Sequence, residues 1–436
     1  MKHFFFGLCV SVVVCAINVQ FSAVAIARSQ ETVLHSFAGP PDGFYPDAGL
    51  IDVKGTLYST TQGGGTGTRC VFCGTVFSLD PGTGAETVVY SFCSRKNRKK
   101  LNECQDAQAP VASLIDVKGR LYGTAEYGGI NGEGAVFRIN PRSNQENLLY
   151  SFCSQQNCVD GERPGAALID VNGTLYGTTT GGGTGTAPCG NSPAHCGTVF
   201  AVDPNTGTET AIYSFGSSAT DGYMPEGGLI NVNGMLYGTT LGGGTHDAGT
   251  VFALNPSTGA ETVLYSFCSQ QNCADGEDPE DSLIDVNGTL YGTTPLGGNT
   301  SSRGCRFWGC GTVFALDPDS GTETVVYPFC SRTRHHKVCR DGQMPEAGLI
   351  EVKGMLYGTT SEGGGNPCPG NRRCGTVFSI DPNSGVEKVL YSFCGQQNCA
   401  DGENPKSDLI DVKGTLYSTT VYGGAYGEGT VFAVRR

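Results

Sequence analysis

Residues 221–267 read DGYMPEGGLINVNGMLYGTTLGGGTHDAGTVFALNPSTGAETVLYSF, and this stretch decides the fold. It contains four short segments rich in β-branched and aromatic residues: LINV, MLYGTT, GTVF and ETVLYSF. Each segment is bounded by Gly, Asn, Asp or Pro, so each is expected to be a β-strand. The Asn-Gly between the first two segments predicts a tight hairpin, and NPSTG between the last two predicts a longer turn.

The same four segments occur seven times along the chain. The tyrosine of the second segment marks the copies, at Tyr58, Tyr122, Tyr176, Tyr237, Tyr291, Tyr357 and Tyr417. Successive copies lie 54 to 66 residues apart, close to one propeller blade with loop insertions. Adjacent positions in a strand are often both apolar, so both faces of each small sheet must be buried. We predict an all-β protein, a seven-bladed β-propeller of four-stranded antiparallel blades.

The segments at the two ends of the chain indicate a closed ring. A fourth segment, ETVLHSF, precedes the first complete repeat, and the sequence ends with a third segment, GTVFAVRR. A ring whose last blade takes its outer strand from the N-terminal segment explains this offset, whereas an open stack would need capping repeats. A β-helix or another repeat stack is the alternative.

Together, the DGxxP, LYGTT, GGG and GTVF motifs resemble the GloVer tandem repeat of bacterial exported proteins. The resemblance covers essentially all of the chain after its N-terminal segment. It implies a propeller in a bacterial envelope or extracellular setting, and it implies no established activity. Members often carry a C-terminal anchoring segment, whereas this sequence stops at Arg436 directly after its last strand.

Residues 1–27 have the composition of a secretory signal peptide. A lysine and an apolar run are followed by Ala25-Ile26-Ala27, which predicts cleavage before Arg28. Residues 28–436 would then form a single propeller domain, secreted or periplasmic, monomeric and without a membrane span. A retained membrane anchor is the alternative, but Asn18 and Gln20 interrupt the apolar run.

The chain is acidic, with a formal net charge of −13. Neutralising the phosphates of DNA or RNA requires net Lys and Arg on one surface. The composition therefore argues against general nucleic-acid binding.

Beyond the N-terminal segment, 18 of the 20 cysteines remain, and they form nine local pairs. The pairs are Cys70/Cys73, Cys93/Cys104, Cys153/Cys158, Cys189/Cys196, Cys268/Cys273, Cys305/Cys310, Cys330/Cys339, Cys368/Cys374 and Cys394/Cys399. Connectivity does not follow from sequence in general, but each pair lies within one predicted loop, so local disulfides are the simplest expectation. They imply an oxidising compartment. A redox or zinc motif is the alternative for CVFC at Cys70 to Cys73.

Antiparallel geometry places the hairpins and DPNTG-like turns at one end of the ring, here called the turn face. The connections from the second to the third segment, and from the fourth to the next first, lie at the other end, here called the loop face. All nine cysteine pairs and nearly all length variation fall on the loop face. Loops carry specificity on a rigid scaffold, so function is expected there.

Aromatic and basic side chains on the loop face are candidate binding residues. Phe72, Phe307 and Trp308 lie inside cysteine-bounded loops and would anchor a sugar or a protein partner. Two basic clusters are Arg95, Lys96, Arg98, Lys99 and Lys100, and Arg332, Arg334, His335, His336, Lys337 and Arg340. A polyanion such as an acidic polysaccharide could bridge them. The alternatives are aromatics that fold back over the blades and charges that are merely solvated.

An aspartate precedes each first segment, at Asp42, Asp106, Asp160, Asp221, Asp275, Asp341 and Asp401, usually within DGxxP. Seven carboxylates around a channel mouth could hold a cation. Ordinary turn chemistry, in which Asp accepts backbone N–H groups, is favoured instead. The six histidines form no repeated metal-ligand pattern, and no nucleophile motif occurs, so we expect no catalytic residue, metal site or cofactor.

These observations favour a non-enzymatic binding propeller that recognises a glycan or an extracellular protein on its loop face. A polysaccharide-degrading or lactone-cleaving enzyme and a structural envelope protein are the alternatives. A pocket lined by non-equivalent acids from several blades would favour the enzyme, because propeller active sites are assembled from distant blades and leave no local signature.

Overall fold

The computed structural model describes residues 31–67, 72–94, 104–190, 196–299, 305, 308–334, 338–366 and 374–436. These residues form seven four-stranded antiparallel sheets arranged as the blades of a propeller. The predicted fold is therefore confirmed. Within the ranges described, we find no helix long and apolar enough to cross a bilayer.

We number the blades 1 to 7 in chain order and name the strands by their position from the channel outwards. The inner strands are Ile51–Val53, Ile115–Val117, Ile169–Val171, Ile230–Val232, Ile284–Val286, Ile350–Val352 and Ile410–Val412. The second strands are Thr56–Thr61, Arg120–Ala125, Thr174–Thr179, Met235–Thr240, Thr289–Thr294, Met355–Thr360 and Thr415–Thr420.

The third strands are Thr75–Leu79, Ala135–Asn140, Thr198–Val202, Thr250–Leu254, Thr312–Asp317, Thr376–Asp381 and Thr430–Arg435. The outer strands of blades 1 to 6 are Glu86–Ser91, Gln145–Ser151, Glu209–Ser214, Glu261–Ser266, Thr322–Pro328 and Val386–Ser392. Minor elements are the strand pairs Gly43–Phe44 with Gly63–Gly64, Gly222–Tyr223 with Gly242–Gly243, and Thr333–Arg334 with Val338–Cys339, and the 3-10 turns Gln156–Cys158, Gln271–Cys273 and Gln397–Cys399.

The outer strand of blade 7 is Glu31–Ser36, which pairs antiparallel with Thr430–Arg435. The register places Glu31 opposite Val434 and Ser36 opposite Thr430. Strands from the two ends of the chain thus share one sheet, as the order of the segments predicts. The ring is closed by backbone hydrogen bonds.

The turns between strands form at the Asn-Gly and DPNTG-like segments. Asn172 and Gly173, with φ of 54° and 88°, make the two-residue hairpin between the first two strands of blade 3. Positive φ at both positions suits the right-handed twist of paired strands. In the longer turn that follows the third strand, the amide of Gly207 donates to the carbonyl of Asp203 at 2.8 Å.

Buried phenylalanines hold neighbouring blades together. At each of the seven blade interfaces, a Phe that follows the outer strand of one blade meets a third-strand Phe of the next edge to face, at 4.9–5.2 Å between ring centroids. The pairs are Phe37–Phe77, Phe92–Phe137, Phe152–Phe200, Phe215–Phe252, Phe267–Phe314, Phe329–Phe378 and Phe393–Phe432. Each such pair stabilises the fold by about 0.5–1.5 kcal/mol beyond its area burial. The core is therefore a set of interblade contacts.

Disulfides brace the loop face as expected. Seven bonds join Cys93–Cys104, Cys153–Cys158, Cys189–Cys196, Cys268–Cys273, Cys305–Cys310, Cys330–Cys339 and Cys394–Cys399. Cys73 and Cys374 are also disulfide-bonded, while their expected partners Cys70 and Cys368 lie outside the described residues. Bonds of this number fit an oxidising compartment.

Candidate binding site at the channel mouth

The site is built by the segments that lead into the inner strands. Inner strands of adjacent blades contact each other and surround a central channel. Each leading segment contains a proline, and the residue after it is not the same in all repeats: Asp47, Val111, Gly165, Glu226, Glu280, Glu346 and Lys406. All seven line one cavity of 490 Å³ at the loop-face mouth of the channel.

Carboxylates dominate this cavity. Its acidic side chains are Asp47, Glu126, Glu226, Glu280 and Glu346, and its basic ones are Arg163 and Lys406. Lys406 Nζ lies 2.9 Å from Glu346 Oε2. Burial opposes the charge of Lys406, but Glu346, Asp47 and Glu280 outweigh it and raise the pKa of this lysine. The mouth therefore holds one firmly charged ammonium among an excess of acids.

Burial raises the pKa values of Asp47, Glu126, Glu226 and Glu280 at the mouth. Burial, reinforced by Glu346 and Glu226, raises the pKa of Glu280 to about 8. Burial raises the pKa of Asp47 to about 6, against the opposing effect of Lys406. Asp47 Oδ1 is shielded from solvent and lacks a hydrogen-bond partner among the described residues. At neutral pH the mouth thus contains both a protonated carboxylic acid and an ionised one.

A second cavity, of 110 Å³, shares residues with the first and includes a carboxyl pair from two blades. The amide of Gly348 donates to Asp281 Oδ2 at 2.9 Å and to Asp408 Oδ1 at 2.8 Å. A Cβ at position 348 would lie only 2.8 Å from Asp408 Oδ1, so glycine permits this approach. Burial and mutual repulsion raise the pKa of Asp281 well above its ordinary value, and burial raises that of Asp408. Two negative charges on this pair at once are therefore disfavoured.

The residue before each proline forms a rigid rim around the mouth. These residues are Tyr45, Ala109, Arg163, Met224, Asp278, Met344 and Asn404, all with φ between 53° and 63°. Non-glycine residues in the left-handed region are strained and need support from their surroundings. Their amides supply it by donating to carbonyls of the preceding blade, as Met224 does to Cys196 at 2.8 Å. The blades thus present six kinds of side chain from the same backbone conformation.

An aromatic cluster lies on this rim where blades 7 and 1 meet. Tyr45 stacks on Phe72 at 6.3 Å and meets Tyr422 edge to face at 5.2 Å, and Phe44 lies beneath Tyr45 and Phe72 at 5.0 and 6.0 Å. Phe72 and Tyr422 are 41% and 40% exposed. The Tyr45 carbonyl accepts from Asp47 and Gln62, two residues of the acidic cavity. The backbone of the aromatic cluster is therefore hydrogen-bonded to residues that line the acidic cavity.

The aspartates of the DGxxP motif lie elsewhere. Asp160 accepts from Ser154 N at 2.8 Å, Ser154 Oγ at 2.9 Å and Tyr150 Oη at 2.7 Å. Asp221, Asp275, Asp341 and Asp401 accept from equivalent groups. They are buried beside the outer strands, away from the channel. The turn interpretation is confirmed, and a ring of these carboxylates around the channel mouth is ruled out.

The other candidate residues are spread over the loop face. Phe72 belongs to the aromatic cluster, whereas Trp308 is 67% exposed in the blade 5 loop. Arg332 forms an ion pair with Glu387 at 3.1 Å. Arg334 lies in the short strand Thr333–Arg334. Phe307, Lys337 and the cluster Arg95, Lys96, Arg98, Lys99 and Lys100 lie outside the described residues.

Sequence reasoning missed the acids at the channel mouth. The prediction was based on the DGxxP aspartate, which every repeat shares. The mouth is formed instead by positions next to the proline, and the repeats differ at these positions. The LYGTT motif recurs with little change, whereas these positions carry Asp, Val, Gly, Glu or Lys. A residue that all repeats share stabilises the scaffold. Variation at one position of an otherwise regular repeat was the signal that could have located the site.

The family assignment follows from the repeat itself. The profile of the Gloeobacter/Verrucomicrobia repeat matches residues 21–189 and 184–432, which is most of the sequence. The chain belongs to this repeat family. The GloVer resemblance inferred from the motifs is thereby confirmed. A search of curated protein sequences found no significant match.

Solved structures with the same fold include carbohydrate-active propellers. An oligogalacturonate lyase in complex with manganese aligns with a TM-score of 0.51 at 11% identity, over 93% of this chain and 92% of its own. The GH74 xyloglucanase from Xanthomonas campestris aligns with a TM-score of 0.52 at 12% identity, over 93% of this chain and 53% of its own. At such identities the likeness shows the fold alone. The chemistry of the site depends on the side chains at the channel mouth of this member of the repeat family.

Proposed function

We propose that this protein binds a neutral or amino-sugar glycan at the loop-face mouth of its channel. The observation that carries the proposal is that the carbonyl of Tyr45, in the cluster with Phe72 and Tyr422, accepts hydrogen bonds from the amides of two residues of the acidic cavity. Aromatic faces pack on the apolar faces of sugar rings, and carboxylates accept hydrogen bonds from sugar hydroxyls or ammonium groups. The cavity would bind one end of the glycan, and the aromatic side chains on the rim would pack against the next sugars.

Charge sets the class of glycan. The mouth carries five carboxyl groups against two cations, so a polyuronate would be repelled. Amino sugars would be attracted, and neutral sugars would bind through hydrogen bonds alone. Of the basic residues that suggested an acidic polysaccharide, Arg332 is already paired with Glu387.

The test is calorimetric titration with three oligosaccharide classes: neutral hexoses, amino sugars and uronates. We expect saturable binding of a neutral or amino-sugar oligomer and none of uronates. A Tyr45→Ala/Tyr422→Ala variant should bind at least tenfold more weakly, because buried aromatic anchors dominate binding energy. Trp308→Ala is the matched control, since Trp308 is exposed but lies away from the mouth, and it should bind as the unmodified protein does. Uronate binding, or a loss caused by Trp308→Ala alone, would refute the proposal.

Hydrolysis of the bound glycan is a second candidate, favoured by the raised pKa of Glu280. A carboxylic acid that is protonated at neutral pH beside ionised carboxylates is the arrangement a general acid requires. Non-equivalent acids from several blades were the feature expected of an enzyme. Release of reducing ends from the bound oligomer, abolished by Glu280→Gln with binding retained, would support catalysis. Binding without release would leave a lectin-like protein.

Glycan binding of this kind would take place outside the cytoplasm. We propose that residues 1–27 are a signal peptide and that residues 28–436 act as one monomeric propeller domain outside the cytoplasm. The disulfides support this, because such bonds persist in oxidising compartments. A protein partner would be an alternative ligand for the same rim.

A further inference from the structure

A polar cluster recurs between adjacent blades near their outer strands. In six copies the tyrosine of the outer strand donates to the DGxxP aspartate, and a glutamate lies on the next outer strand. Tyr213 Oη, for example, lies 2.8 Å from Asp221 Oδ2 and 3.4 Å from Glu261 Oε2. Tyr265 repeats the arrangement with Asp275 at 2.8 Å and Glu323 at 3.4 Å.

One copy of the cluster differs in composition. Where the other repeats have Tyr90, Tyr150, Tyr213, Tyr265, Tyr327 and Tyr391, the N-terminal strand has His35. His35 Nε2 lies 3.2 Å from Asp42 Oδ2, and Glu86 lies on the adjacent outer strand. One ligand atom from each of the three residues lies within 4.8 Å of the others. This is close to the spacing of ligands held about 2 Å from a single ion.

We propose that His35, Asp42 and Glu86 form a binding site for a divalent transition-metal ion such as Zn²⁺. One imidazole nitrogen and two carboxylates are a donor set that Zn²⁺ accepts, with a further position left for water. All three side chains are half-buried, so an ion could enter from solvent. The proposal is independent of glycan binding.

The carboxylates of this copy face a histidine in place of a tyrosine. Glu86 Oε1 is shielded from solvent and makes no hydrogen bond within the described part of the chain, as is also true of the equivalent oxygens of Glu209, Glu261 and Glu323, so His35 is the feature that sets this copy apart. Asp42 already accepts from the amides of Ala38 and Gly43 at 3.0 and 2.7 Å, besides its contact with His35. Two acids facing one imidazole leave negative charge in excess, and a bound cation would neutralise it.

The location gives the site a role. His35 lies on the N-terminal strand that completes blade 7, Asp42 on the connection that follows, and Glu86 on the outer strand of blade 1. An ion held by all three would join the first blade to the last. In blade 7 no turn joins the third strand to the outer strand, because the two strands come from opposite ends of the chain. Metal binding would therefore stabilise the ring at this junction.

The experiment is titration of the untagged, oxidised, EDTA-treated protein with zinc, read by calorimetry and by the melting temperature. We expect one more zinc equivalent in the unmodified protein than in His35→Tyr, which restores the residue of the other six repeats. Zinc should raise the melting temperature of the unmodified protein by several degrees and leave that of His35→Tyr unchanged. Conversely, Tyr150→His creates the same triad with Asp160 and Glu209, and should gain one equivalent.

Equal zinc stoichiometry and affinity in the unmodified protein and His35→Tyr would overturn the proposal. Glu86→Gln removes a ligand while keeping its shape, and decides the question if His35→Tyr does not fold. Loss of the extra equivalent in Glu86→Gln supports the site, and its retention refutes it.

Discussion

Individual residues of this propeller divide into those that repeat and those that vary. The repeated aspartate of DGxxP accepts several hydrogen bonds in each described blade and orders the connection that leads to the mouth. Asp160, for instance, holds Ser154 and Tyr150 within 2.9 Å. The variable residues around the following proline carry the chemistry.

Asp160→Ala should lower the free energy of unfolding by about 2–3 kcal/mol, because it leaves buried donors unpaired. Denaturant titration measures the change. Glycan affinity at the mouth should be unaltered. Asp52→Ala is the matched control, since its exposed carboxylate supports only the Gly55 amide, and its effect should remain below about 1 kcal/mol. A large loss of binding in Asp160→Ala, with stability intact, would assign this aspartate a direct functional role.

The sequence predicted the role of the repeated aspartate because turn chemistry is local. It did not predict the mouth, because Asp281 and Asp408 meet only when blades 5 and 7 converge on Gly348. No spacing in the sequence encodes that meeting. The cluster of Tyr45, Phe72 and Tyr422 was not predicted for the same reason, because it joins residues from opposite ends of the chain.

Between strands, the interblade glutamates make stability depend on pH. Burial raises the pKa of Glu209, Glu261 and Glu323 to about 7, assisted by Asp160, Asp221 and Asp275 respectively. These carboxyls hold their protons more tightly in the folded state than their ordinary value of 4.5 allows in the unfolded chain. Their contribution to stability is therefore fully present below pH 4.5 and lost as pH rises through 7.

We expect the melting temperature to fall between pH 5 and pH 8. A Glu209→Gln/Glu261→Gln/Glu323→Gln variant should show a flatter profile and melt higher than the unmodified protein at pH 8, because an amide keeps the shape and a donor without the charge. Calorimetric scans at several pH values test this. A melting temperature that rises over the same range would show that these carboxyls are ionised in the folded protein.

At the level of strands, the sequence predicted nearly everything. The Lys-Gly and Asn-Gly hairpins, the DPNTG-like turns and the local cysteine pairs each depend on residues that are close in sequence. Hydrophobic patterning placed Phe77 and its equivalents in strands that need cover on both faces, and the structure supplies a Phe from the neighbouring blade.

The whole molecule is a ring whose stability rests on its closure. Glu31–Ser36 covers the open edge of Thr430–Arg435, and Phe37 packs between Phe77 and the last blade. An uncovered edge strand is a template for aggregation. The seven interblade interfaces are alike in their Phe pairs, but only the one between blades 7 and 1 involves the N-terminal strand.

Phe37→Ala should cost about 3–5 kcal/mol, the usual price of removing a buried phenylalanine. Phe215→Ala, at an interface without chain ends, is the matched control and should cost a similar amount. The two should differ in limited proteolysis: Phe37→Ala should release the N-terminal strand under conditions in which Phe215→Ala stays intact. Identical cleavage patterns would contradict closure by a separable N-terminal strand.

A crystal structure with the tightest-binding oligosaccharide would show whether the ligand binds at the loop-face mouth of the channel. We expect sugar rings against Tyr45 and Tyr422, with hydroxyl or ammonium groups reaching Glu346 and Glu280. Sugar bound at the turn face, or only at the basic loop around Arg332, would contradict this expectation.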